Sequence, residues 1–118
     1  MEYIKKLPDN PSFRQNGLFG YNFDLDSKDL SITIEDCFKG HDRYYANARS
    51  EMIYYVVEGE GIFKINGKEN KVKKDDLIEI PKNTEFVFAG KMKLLLITSP
   101  AFRKEDDING KENDLTFE

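Results

Sequence analysis

The stretch EMIYYVVEGEGIFKINGK, residues 51–68, decides the fold. Its first half is a run of β-branched and aromatic residues of the kind that fills strands, with successive side chains pointing to opposite faces. Gly59-Glu60-Gly61 then reads as a strand corner, because no helix and no lysine follow to make a phosphate cradle. A second short strand, GIFKI, leads into Asn66-Gly67, whose tolerance of positive φ makes the pair a strong hairpin signal. KENKVKK returns as the partner strand, so the whole stretch is a β-meander.

Strand patterns continue on both sides. Upstream lie LFGYNF (18–23) and LSITIEDCF (30–38), joined by the turn-rich DLDSKD, with Ile32 and Ile34 alternating against Ser31, Thr33 and Glu35. Downstream come DLIEIP (76–81), EFVFAG (85–90) and KLLLITS (93–99). About eight short strands at regular spacing, with helix signals nearly absent, predict an all-β sandwich or small barrel. The ends differ. Residues 1–16, with Pro8 and Pro11, read as an N-terminal arm, residues 17–102 as the barrel, and residues 103–118 as a polar C-terminal tail expected to fray. The hexapeptide INGKEN occurs at 65–70 and again at 108–113, but six residues with unlike flanks do not make a duplication.

A chain of 118 residues with 39% hydrophobic and 13% aromatic residues suffices for one core. With 34% charged residues and a net charge of −4, its cations are interleaved with acids, so it has no basic stripe for nucleic acid. The lone Cys37 cannot form an intramolecular disulfide, and MEYIKKLPDN has no apolar stretch of the secretory kind behind its basic residues. No apolar run approaches the roughly 20 residues of a membrane-spanning helix, and the expected location is the cytoplasm.

At this point the residues resemble the cupins, small jelly-roll barrels with two motifs, the first carrying His-x-His, Glu and Gly, the second Gly-Asp, Pro-x-Gly and a further His. YYVVEGEGIFKING looks like the end of the first motif and DDLIEIPKNTEF like the second, with GKMKLLLITSPAF closing. The resemblance implies a jelly-roll barrel. Its liganding positions fall on Tyr45 and Asn47, or on Ala46 and Ala48 in the alternative register, then on Met52 and Phe86. Imidazole and carboxylate are missing from all of them, so neither a metal nor another cofactor is expected.

Strand parity sends Met52, Tyr54 and Val56 inward together, and Phe88 inward with Phe86. Two readings follow. Either the barrel fills with core, or Tyr54, Phe86 and Phe88 wall a pocket, with Met52 at the old ligand position and Arg43, Tyr45 and Asn47 at the mouth, for a small molecule such as a carbohydrate. An alternative function is a metal-independent sugar isomerase or epimerase with His41, in the loop sequence KGHDRYY, as acid and base. Analogy with cupins, together with the strand-like YIKKL of the arm, predicts a homodimer.

Overall fold

Nine strands account for nearly all regular structure in the computed structural model, which describes residues 1–118. They are β1 (Phe13–Arg14), β2 (Leu18–Asn22), β3 (Ser31–Cys37), β4 (Arg43–Asn47), β5 (Glu51–Ile65), β6 (Lys68–Lys73), β7 (Leu77–Ile80), β8 (Phe86–Ser99) and β9 (Asp107–Glu112). A short 3-10 turn at Lys104–Asp106 precedes the last. No helix is long and apolar enough to cross a membrane.

Two long strands organise the rest. β5 and β8 pair antiparallel along their length, from Glu51 opposite Ser99 to Ile65 opposite Phe86. The sequence suggests two strands in each; the chain instead bends each one without breaking it. In β5 the bend is a bulge between Val56 and Glu58, followed by Gly59 at φ +87°. A Cβ at Gly59 would stand 2.0 Å from the Lys91 carbonyl oxygen, so glycine lets the strands cross at the corner. One half of the long pair extends into a sheet ordered β7, β5, β8, β3, β2, β1, and the other into β6, β5, β8, β4, β9. The two curl together as a small jelly-roll barrel.

The interior rows are those that parity selects. Met52, Tyr54, Val56 and Phe63 of β5 meet Phe86, Phe88, Met92, Leu94 and Leu96 of β8, with Ile78 and Ile80 of β7. Tyr54, Phe63, Phe86 and Phe88 are each at most 1% exposed, which contributes about 2–3 kcal/mol per ring relative to solvent exposure. Asp76 fixes its turn by accepting the Lys73 N–H at 2.8 Å.

Two expectations are corrected. On β3 the alternation is present, but Thr33, Glu35 and Cys37 are the buried row, while Ile32 and Ile34 are only half-buried. The polar tail does not fray: β9 pairs with β4, and Asp106 ahead of it accepts from Arg103 and Arg49, each at 2.9 Å. Those guanidinium groups, Arg103 foremost, pull the Asp106 carboxyl down to about 2. INGKEN, in keeping with a match that is no duplication, takes two conformations. At 65–70 Asn66 and Gly67 adopt positive φ in a hairpin, whereas at 108–113 the same letters run through a continuous strand because β4 supplies a ladder partner.

Candidate functional site

His41 stands where the loop after β3 turns into β4, and its backbone is held from three directions. Gly17 O accepts the N–H groups of Phe38, Lys39 and Gly40; His41 N–H donates to Phe88 O at 3.1 Å; and Asn113 Nδ2 donates to His41 O at 2.7 Å. The loop is therefore rigid. The imidazole Nδ1 lies 2.7 Å from the Arg43 carbonyl oxygen, a contact that requires Nδ1 to carry the proton and donate it. Nε2 keeps its lone pair, approached only by Gln15 Nε2 at 3.5 Å. Burial pushes the imidazole below its ordinary value, against the opposing pull of the Arg43 carbonyl and the charges of Asp42 and Asp107. The result is a neutral, tautomerically fixed base.

Around it the rings form a closed circuit. His41 lies 5.7 Å from both Tyr45 and Phe88, Tyr45 lies 5.8 Å from Phe86, and Tyr54 lies 5.8 Å from Phe86 and 5.5 Å from Phe88. Phe63 stacks behind Phe88 at 4.8 Å. The structure thus brings together His41, Tyr45, Tyr54, Phe86 and Phe88. Met52 is buried further along β5, opposite Ile80 and Thr98. Arg43 is exposed and turns its Nε to Gly110 O at 3.0 Å. Asn47 is fully engaged: its Oδ1 accepts from Arg49 N and Ser50 N, and its Nδ2 donates to the Tyr45 hydroxyl at 3.2 Å. It holds a turn and offers nothing at a mouth.

Tyr45 donates its hydroxyl to Asp107, and its acidity is lowered, first by burial and then by that carboxylate, so it remains a phenol. The former ligand positions therefore present a phenol, a committed amide, a thioether and a phenyl ring. No group of three or more His, Cys, Asp or Glu residues is placed to hold a metal ion. These residues do not fit the divalent metal that the cupin motifs imply.

A polar cleft of about 300 Å³ opens beside the loop, lined among others by His41, Asp42, Arg43, Glu112 and Asn113. Sequence reading found His41 and the rings but missed Asp107 and Gln15, which lie in the segments read as tail and arm. Nothing local marks Asp107, whose partner is 62 residues away.

Comparison with known proteins agrees with this architecture. Residues 41–98 match the cupin domain family. An uncharacterized protein of Methanocaldococcus jannaschii is 36% identical over 61 residues, 48% of this chain and 49% of that protein, so the chain spans about half the length of this curated relative. Among solved structures, Streptomyces Pac13, described as a nucleoside dehydratase with a beta-barrel, is 26% identical, with 95% of this chain and 93% of that one covered at a TM-score of 0.89. Pac13 variants solved with uridine include one with a histidine changed to glutamine and two with a tyrosine changed to phenylalanine. An RmlC-like cupin from Shewanella frigidimarina, 20% identical over 86% of this chain and 87% of its own at a TM-score of 0.66, shares the fold. Fold and motifs define a small jelly-roll barrel of the cupin type. The chain belongs to the cupin superfamily.

Proposed function

We propose that this cupin works in the cytoplasm without a metal, binds a nucleoside-like or sugar-like small molecule at the barrel end marked by His41, and uses His41 to move a proton on it. The observation that carries this reading is the fixed neutral imidazole, with Nδ1 committed to Arg43 O, Nε2 keeping its lone pair, and the ring packed beside Tyr45 and Phe88. Such a base removes a proton from carbon next to a carbonyl, where the negative charge is delocalised. Returned to the opposite face of that carbon, the proton gives epimerisation. Returned to a departing β-hydroxyl, it gives dehydration with water as the only co-product. The likeness to Pac13 supports the nucleoside class and the second outcome.

The test is incubation in D2O, with and without EDTA, of uridine and of nucleosides and pentoses bearing a carbonyl beside an exchangeable carbon. Mass spectrometry is expected to show solvent deuterium uptake or loss of water for a member of the panel, insensitive to EDTA. No reaction and no change in melting temperature across the panel removes the reading.

We further propose that the arm pairs with a second copy. Residues 1–12 form no strand, while Tyr3, Ile4 and Leu7 are exposed there. Light scattering is expected to give twice the chain mass, and the chain mass after removal of residues 1–10; a full-length monomer contradicts the assembly.

A further inference from the structure

Inside the barrel, away from His41, one carboxyl lacks any partner. Glu35 is 3% exposed in the inward row of β3, and its Oε1 is wholly buried with no hydrogen bond. In register with it stand Gly20 on β2 and Leu94 on β8. Phe13 of β1 fills the space over Gly20, its ring atoms 2.0–2.6 Å from where a Cβ would be. The ionisable groups facing Glu35 are Tyr54 from β5 and Cys37 from β3, both of whose acidities are lowered chiefly by burial and further by the charge of Glu35. Gly20, Leu94 and Phe13 bring none. No hydrogen bond acts on the Tyr54 hydroxyl. One unpartnered carboxyl oxygen thus lies in an apolar interior, where such groups are almost always satisfied by protein or by a bound molecule.

We propose that Glu35 is the floor of a ligand subsite inside the barrel, where its carboxyl receives the adjacent N–H and C=O edge of a planar amide or ureide heterocycle. The inference deepens the nucleoside reading and rests on it: the sugar faces His41 and the base faces Glu35. Phe88 spans the two ends, 5.7 Å from the His41 ring and 5.5 Å from the Tyr54 ring. Burial pushes the Glu35 carboxyl up to about 8, so near neutrality it presents one O–H donor and one carbonyl acceptor. That pair complements an N–H beside a C=O. A sugar diol, with two donors, would instead select an ionised carboxylate. The rings of Tyr54 and Phe13 suit a flat partner.

The experiment is titration calorimetry of uridine and of free uracil between pH 6 and pH 8.5, on the wild type, Glu35→Gln and Glu35→Leu. Glutamine keeps one donor and one acceptor, so E35Q is expected to bind within about threefold of wild type at pH 6. Wild-type affinity is expected to fall by up to about tenfold per pH unit once the carboxyl ionises, relative to E35Q, whose own profile cancels ionisation of the ligand. E35L is expected to lose roughly 10- to 100-fold. Uridine binding that is equal in all three proteins overturns the subsite and leaves the nucleoside reading standing. Binding of uracil without uridine, lost in E35L, supports the subsite and removes the nucleoside reading. Absence of binding by either compound at pH 6 overturns the subsite. Should E35L fail to fold, the pH profile of wild type against E35Q decides alone.

Discussion

Between pH 6.5 and pH 8 the protein is expected to lose about 2 kcal/mol of folding stability that a Glu35→Gln variant keeps. The folded carboxyl titrates near 8, against an ordinary value of 4.5. Between those values the folded chain holds a proton that the unfolded chain has released, so stability falls as pH rises and levels off above 8. Over the whole interval the effect approaches about 5 kcal/mol, comparable with the entire stability of a marginal domain. His41 acts oppositely on the acid side: burial lowers its value from 6.5, so protonation favours the unfolded chain and stability rises with pH up to about that point. The Cys37 thiol, pushed up to about 12 from 9.0, costs stability only as pH rises through its unfolded value. The window from 6.5 to 8 therefore isolates Glu35. Urea denaturation at several pH values measures it, and parallel curves for wild type and variant would show a solvated carboxyl.

For the substrate the panel identifies, His41→Gln is expected to reduce kcat by about 10²- to 10⁴-fold, the usual contribution of a positioned general base. The imidazole packs against Tyr45 and Phe88 but carries none of the barrel's strand pairing, so the thermal transition is expected to survive. A second readout separates a base from a packing residue. Turnover requires the neutral ring, and because burial lowers its value, activity should persist below pH 6.5 before it falls. Undiminished turnover in the variant would remove His41 from the chemistry.

The barrel was legible because its signals are local. Asn66-Gly67, Gly59 and Asp76 each act within a few residues, and period-two alternation places Met52, Tyr54, Phe86 and Phe88 inside. RYYAN of β4 buries both of its faces and so shows no alternation to mark it as a strand. Glu35 is masked in the sequence for the opposite reason. Its neighbours Ile32 and Ile34 outweigh Thr33 and Cys37 in hydrophobicity, although Cys is among the residue types most often fully buried, and Cys37 marked the true inner row. Asp107 and Asn113 could not be found from sequence, since what they do depends on chain brought back from more than sixty residues earlier.

That return has a consequence for how the protein is made. Synthesis from the N terminus delivers His41 early, yet the amide that clamps its carbonyl belongs to Asn113, and the carboxylate that holds Tyr45 belongs to Asp107. The long pair of β5 and β8 needs nothing beyond residue 99. The scaffold can thus be finished while its working end is still open, and a chain cut within 103–106 would keep a barrel and lose the grip on its histidine. The stretch from Asp107 to Asn113 acts as a latch.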